Sequence, residues 1–229
     1  MEIKGSVALV TGANRGLGKA IAQALLQAGA KVYAGARNPD SVDLPGAIPV
    51  ALDVTDPQSV RAAAERCADV QIVVNNAGIS VPGAALSADA PARARQLLDA
   101  NFFGILNVSS AFAPVVAGNG GGAFANVLSV LSWLVIPNST MYSASKAAAW
   151  ALTNGMRAEL KERNIQVTGV HVGYMDTDMV RALDAPKTAP AVAAEKIVAA
   201  IRDGQAELLI DDTSRQVKAS LSLEQAAYL

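Results

Sequence analysis

A doubly wound α/β fold, with a predominantly parallel seven-stranded sheet and helices on both faces, follows from three features of this 229-residue chain. Short, near-continuously apolar runs alternate with longer helix-compatible runs, the pattern of strands buried on both faces. The first apolar run, VALV from Val7, passes straight into TGANRGLG and then into a helix-compatible run, Leu17 to Ala28. The chemically capable polar residues fall just after the expected strands, where open α/β sheets bind ligands.

Each element has its own local signal. Gly29 stops the first helix, and Lys31 to Ala36 is a short second strand. Val50 to Val54 is the third, and Thr55 or Asp56 caps the helix that Pro57 begins and that runs to about Arg66. Val70 to Val74 is the fourth strand, ended by Asn75-Asn76-Ala77-Gly78. Asp89 and Pro91 open a long helix to about Val116, bent or ended near Pro114. Ala123 to Ser129 is the fifth strand, and a helix spans about Tyr142 to Arg163. Gln166 to Val170, a helix over Pro190 to Asp203 stopped by Gly204, and Glu207 to Ile210 complete the pattern. Ser220 to Leu229 is either a short helix or a frayed tail.

Length and composition narrow the function classes. The chain suits one domain, which at this size buries about 70% of its unfolded surface. A formal net charge of -1 and the lack of a basic run argue against nucleic acid as a partner. The single cysteine, Cys67, excludes an internal disulfide framework and suits a reducing, cytoplasmic compartment. The opening MEIKG carries an acid before any apolar run, so no secretory leader is expected. Ala100 to Ser145 holds no charged residue, yet asparagines, prolines and the Gly118–Gly122 cluster interrupt it too often for a membrane-spanning helix. Scattered aspartates show no metal-ligand spacing, so no metal is expected.

Two groups of residues carry chemistry. The strand, glycine turn and helix start around Gly12, Gly16 and Gly18 form an anion site, because unpaired N–H groups and the helix dipole face an incoming phosphate. Ser129 ends the fifth strand, while Tyr142 and Lys146 are four residues apart and share one face of the next helix. A lysine ammonium near a phenol favours phenolate, which makes Tyr142 a usable acid and base, and a serine hydroxyl alongside can steady a charged carbonyl oxygen.

Thr11–Gly18 (TGANRGLG), Asn75–Gly78 (NNAG) and Tyr142–Lys146 (YSASK), with a serine thirteen positions before the tyrosine, resemble the short-chain dehydrogenase/reductase family over nearly the whole chain. The resemblance implies a Rossmann-type fold and reversible hydride transfer between a nicotinamide coenzyme and a carbonyl or alcohol. It makes Tyr142 the proton donor, Ser129 the polarising hydroxyl, and Lys146 a residue that lowers the Tyr142 pKa and bonds the coenzyme ribose. Asn101 would hold a water linking Lys146 to solvent. Coenzyme contacts are implied for Gly12, Asn14, Arg15, Gly16, Leu17 and Gly18, for Asp53 and Val54 at the adenine, and for Asn75, Ala77 and Gly78 along the cleft. Val172, Gly173 and Thr177 stand where the family has a proline, a glycine and a threonine. Valine neither fixes φ nor removes an N–H donor, so this loop is expected to be freer. His171, the single histidine, is expected to be a strand-end residue without a catalytic part.

The coenzyme expected is NADP(H), with NAD(H) less favoured. The second strand ends in Ala36 where an NAD-selective site usually has an acid; Arg37 follows, and Arg15 approaches from the glycine loop. Two guanidinium groups suit a phosphate dianion. The chain is thus read as one nucleotide-binding catalytic domain over 1–229, with a substrate lid at about 174–189 that includes Arg181. The substrate wall is placed at Ile79 to Ala85, Val130 to Met141 and Tyr174 to about Ala189. Trp133, Leu134, Val135, Ile136, Met141, Tyr174 and Met175 make it apolar, which suits a small or medium ketone or aldehyde. A 3-oxoacyl thioester reductase, a nucleotide-sugar epimerase or dehydratase, and a non-enzymatic nucleotide sensor are the alternatives. A homodimer or homotetramer is implied by the resemblance, with no membrane partner.

Overall fold

The computed structural model describes residues 1–178 and 184–228. Its strands are β1 (Val7–Thr11), β2 (Lys31–Ala36), β3 (Ile48–Ala51), β4 (Ile72–Asn75), β5 (Gly122–Val127), β6 (Ile165–His171) and β7 (Glu207–Leu209). Its helices are α1 (Gly16–Gln27), α2 (Pro57–Arg66), α3 (Ala90–Leu98), α4 (Gly104–Gly118), α5 (Thr140–Leu160), α6 (Pro190–Asp203) and α7 (Asp212–Ser220). The strands make one sheet in the order β3-β2-β1-β4-β5-β6-β7, with every neighbouring pair parallel. This is the doubly wound, Rossmann-type arrangement, in which the order reverses between β1 and β4 and opens a crevice at the C-terminal strand ends.

Alternation along each strand divides the core into two layers. Ala8 and Val10 pack with Ile21, Leu25, Ile197 and Ile201 under α1 and α6. Leu9 points the other way and packs with Val73, Phe112, Phe124 and Met156 under α4 and α5. Both layers are closely packed apolar clusters, so the strand ends that carry the polar residues stand on a rigid base.

Several boundaries depart from the sequence expectation. β3 runs over Ile48–Ala51 instead of Val50 to Val54, because its register partner β2 ends at Ala36. Asp53 is thereby freed to turn, and its carboxylate accepts from the Thr55 N–H and hydroxyl. The helix expected to bend or end near Pro114 instead widens into a π-helical turn, Asp99–Phe103, and runs on without a gap through an exposed Pro114 to Gly118. The wider turn admits an extra residue, and Asn101 is completely buried within it. Ala90–Gly118 is the one helical stretch among the described residues long and apolar enough to cross a membrane. Val108, Phe112 and Val116 of that stretch are fully buried in the sheet-facing layer. α7 is unanticipated: Asp211 caps it by accepting from the Ser214 N–H, while only Val217 and Ser214 face inward.

Candidate active site

The crevice between β1 and β4 is tied together before any ligand is considered. The Thr11 hydroxyl oxygen accepts from the Asn76 and Ala77 N–H groups at 3.0 and 2.9 Å. The Asn76 amide returns a hydrogen bond to Thr11 O at 2.9 Å. A Cβ at Gly18 would overlap Gly12 O and the Asn76 amide, so β1, β4 and α1 can approach this closely only with glycine there. Gly16 has φ 54°, and a Cβ on it would press on the Thr177 methyl at 3.2 Å. Arg15 begins α1 in extended backbone with no side-chain cap, leaving the first-turn N–H groups facing the crevice. These residues fit a nicotinamide dinucleotide: Gly12 to Gly18 would hold its diphosphate, and Ala77 and Gly78 would line the opposite side.

Ser129 starts a short 3-10 turn, and its Oγ accepts from the Leu131 N–H at 3.1 Å, leaving its O–H free to donate. Tyr142 stands in the first turn of α5, half-buried, with the Ser129 hydroxyl near its phenol. Burial pushes its phenol up to about 12, with the Ser129 hydroxyl opposing. Lys146 is buried; its Nζ donates to Val127 O at 2.9 Å and lies 5.9 Å from the Tyr142 ring centre. Burial draws its ammonium down to about 8. The direction expected from a neighbouring ammonium is reversed: loss of water around the phenol dominates, and the group that opposes it is Ser129, not Lys146. The group therefore presents a protonated phenol.

Asn101 spends both amide hydrogens and one acceptor position of Oδ1 on the protein. Its Oδ1 accepts from the Ile79 N–H at 2.9 Å, and its Nδ2 donates to Ile79 O and Ser145 Oγ, both at 3.0 Å. Ser145 in turn donates to Tyr142 O at 2.7 Å. One acceptor position on Oδ1 remains, beside Gly78: a Cβ there would lie 2.9 Å from Asn101 Oδ1 and 3.7 Å from Lys146 Nζ. Asn101, Gly78 and Lys146 are thus brought together, although 68 positions separate Gly78 from Lys146 in the chain.

The loop after β6 is less free than valine at 172 suggests. Val172 is buried, and its carbonyl accepts from the Val130 N–H at 2.9 Å. Gly173 donates its N–H to Asp211 Oδ2 at 2.6 Å, a charge-assisted tether. Thr177 then lies over Gly16, and Asp178 faces Arg15 at 3.9 Å. His171 ends β6 as expected and is fully buried, with Nδ1 3.2 Å from Ser129 O and its ring stacked 3.8 Å from Trp133. Burial holds it down at about 4, against the pull of Ser129 O and Glu207.

Other expected residues fall differently. Asn75 does not turn its amide to the cleft: it is buried and donates to Asn126 Oδ1 at 2.8 Å and Ser109 Oγ at 3.1 Å, in a polar ladder between β4, β5 and α4. Trp133 and Met175 pack inward, Trp133 against His171 and Trp150, so neither belongs to an open substrate wall. Val135 and Tyr174 are exposed there instead. Val54 is buried, with its carbonyl accepting from Asn107. Asn14 and Leu17 lie within the glycine turn, Leu17 buried under it. Arg15 and Arg37 are both exposed, and the carboxylate of Asp43 faces Lys19 at 3.6 Å. Residues 179–183, with Arg181 among them and in the middle of the expected lid, lie outside the described residues. Sequence reasoning missed Asn76, Ser145, Asp211 and Arg93. The first two stand inside the quoted motifs, but the partners of the last two are visible only in the fold.

Residues 6–188 match the family model for short chain dehydrogenase. A dehydrogenase/reductase SDR family protein 7-like of Anopheles gambiae is 35% identical over 194 residues, 77% of this chain and 61% of that protein. The 3-oxoacyl acyl-carrier-protein reductase of Thermotoga maritima is 33% identical over 196 residues, 80% of this chain and 79% of that protein. A short chain dehydrogenase from Burkholderia cenocepacia, crystallised in complex with NADP, is 40% identical, covers 98% of this chain and 95% of its own, and superposes with a TM-score of 0.93. The fold and the site define a nicotinamide-dependent oxidoreductase acting on CH–OH groups. The chain belongs to the short-chain dehydrogenase family.

Proposed function

We propose that this protein is an NADPH-dependent carbonyl reductase acting on small or medium apolar ketones and aldehydes. The observation that carries the reading is Tyr142 in the first turn of α5 beside Ser129, with the buried Lys146 Nζ one helical turn on and 5.9 Å from the phenol ring centre. A nicotinamide coenzyme in the β1–β4 crevice supplies the hydride. Ser129 donates a hydrogen bond to the substrate carbonyl oxygen, and Tyr142 gives it a proton as charge develops there. Lys146 steadies the phenolate left behind and holds the coenzyme ribose. Asn101 keeps the loop after β4 and the start of α5 in register through Ile79 and Ser145, and its free Oδ1 position takes a water beside Lys146.

Support for the phosphorylated coenzyme comes from the end of β2, where Ala36 offers no carboxylate and Arg37 is exposed. Arg15 shares Asp178 as a partner in this structure and would exchange it for the 2′-phosphate. Residues 174–189 act as the lid of a single catalytic domain over 1–229, which works in the cytoplasm as a homodimer or homotetramer. A 3-oxoacyl thioester substrate is the second reading, favoured by the identity to the Thermotoga maritima reductase. Coenzyme consumption by absorbance separates the two, using a panel of ketones, aldehydes and 3-oxoacyl thioesters with NADPH and with NADH. Turnover of apolar ketones or aldehydes with NADPH is the expected result. Turnover confined to thioesters establishes the second reading, and equal kcat/KM with the two coenzymes overturns the NADPH assignment.

A further inference from the structure

On leaving β4 the chain has no regular structure from 76 to 84, so its backbone polar groups must find partners elsewhere. This stretch forms one wall of the proposed substrate side. Its beginning is pinned by Asn101, which takes both the N–H and the C=O of Ile79. Its middle crosses to the segment after Ser129, where the Gly83 N–H donates to Asn138 O at 2.8 Å. Its far end closes on a guanidinium.

That guanidinium belongs to Arg93 on α3, which is only 7% exposed. Its NH1 donates to Asp89 Oδ2 at 2.5 Å, and its NH2 donates to Ala84 O at 2.7 Å and Ser87 Oγ at 3.0 Å. Gly83 lies flat against it, and a Cβ at Gly83 would overlap the guanidinium. Arginine's rigid fork can gather a carboxylate, a hydroxyl and a carbonyl at once; a lysine point charge cannot hold all three in this geometry. Burying such a group with its Nε unpartnered among the described residues is costly, so the residues it gathers need to be held. Arg93 and Asn101 are both buried on the inward side of α3 and the π turn, and that continuous rod sets the spacing between the two pins. Ala85, Leu86 and Ser87 line an apolar groove of about 330 Å³ with Ala90, Pro91, Ala94 and Met141, the residue before Tyr142.

We infer that Arg93 is a positioning residue for the substrate: by clamping residues 83–89 it sets the shape of the wall against which the carbonyl compound binds. The inference rests on the carbonyl-reductase reading for its substrate, and the clamp itself rests on geometry. The test compares the full-length protein with Arg93→Lys and with Gly83→Ala, which pushes the guanidinium from the loop side without touching the core. Three readouts are taken: amide hydrogen exchange over residues 79–90, the NADPH Kd, and kcat and KM for benzaldehyde, cyclohexanone and ethyl acetoacetate. Exchange in the loop should accelerate at least about 10-fold in both variants. KM for the carbonyl probes should rise at least about 5-fold, with kcat held within about 3-fold and the NADPH Kd within about 2-fold. Unchanged loop exchange would overturn the clamp. Accelerated exchange with unchanged KM would overturn its role toward substrate, and so would an equal loss of NADPH affinity. A wild-type protein that binds NADPH but turns over none of the three probes refutes the carbonyl-reductase reading instead, and loop exchange in the variants still decides whether Arg93 holds the wall.

Discussion

Replacing Asp211 by asparagine should weaken coenzyme binding more than it weakens the fold. In the structure each carboxylate oxygen has its own backbone donor: Oδ2 takes Gly173 N–H at 2.6 Å, and Oδ1 takes Ser214 N–H at 2.8 Å at the start of α7. Asparagine has one acceptor oxygen and one NH2 group, so it can serve only one of the two. Asparagine caps helices about as well as aspartate, so the oxygen should stay with Ser214 and the amide should be turned toward Gly173. A hydrogen bond to a charged acceptor contributes about 1.5–3 kcal/mol, and part of that loss is recovered as Gly173 turns to water. What remains loosens the 172–177 loop, the one expected to meet the nicotinamide, where the family's proline is replaced by Val172. A net loss of about 1–2 kcal/mol in binding corresponds to an NADPH Kd raised roughly 5–30-fold. Calorimetric titration with NADPH measures it, with urea unfolding of the free protein as the control for the fold. An NADPH Kd within twofold of wild type would refute the argument that Asp211 substitutes for the missing proline.

Tyr142→Phe keeps the ring but removes the proton, so kcat should fall by about 10²- to 10⁴-fold with NADPH affinity nearly unchanged; retention of more than about a tenth of wild-type kcat on the best carbonyl substrate would sink the acid assignment. Ala36→Asp places a carboxylate where the adenosine ribose is expected and should move the kcat/KM preference toward NADH, a shift that steady-state comparison of both coenzymes reads directly. His171 is held neutral at about 4 in the fold against 6.5 when unfolded, so the unfolded chain binds the extra proton first. Its contribution to stability is therefore present above the unfolded pKa and is lost as pH falls from about 6.5 toward 4, by about 2 kcal/mol between pH 7 and 5. Urea unfolding at the two pH values should show this difference in the wild type and its loss in His171→Gln; equal pH dependence in both proteins would count against the burial of a neutral ring.

Local chemistry alone determined a large part of this protein. The apolar runs ending at Thr11, Ala36 and Asn75, the glycine turn from Gly12 to Gly18, and α6 with its Gly204 stop all appear where periodicity, caps and backbone freedom put them. The pairing of Tyr142 with Lys146 on one turn of α5, just past Ser129, was legible for the same reason: helical spacing is a property of neighbours in the chain.

Only the tertiary structure decided the features whose partners are far apart in sequence. Asn101 bonds Ile79 22 residues away, and the π turn that holds it, not Pro114, is where the long helix departs from α geometry. Asn75 meets Asn126 across 51 residues and leaves the cleft for the sheet interior. Gly173 finds Asp211 across 38 residues, which ties down a loop that valine by itself would leave freer. Trp133 turns from the substrate wall to stack on His171, and Arg93 draws together a loop that carries no motif. The Tyr142 pKa belongs to the same group. The sequence places an ammonium near the phenol, but the sign of the shift depends on how much water the folded chain removes, and desolvation acts through every atom packed around the ring. Contacts of that kind exist only once the sheet has closed, because no short window of sequence contains both partners.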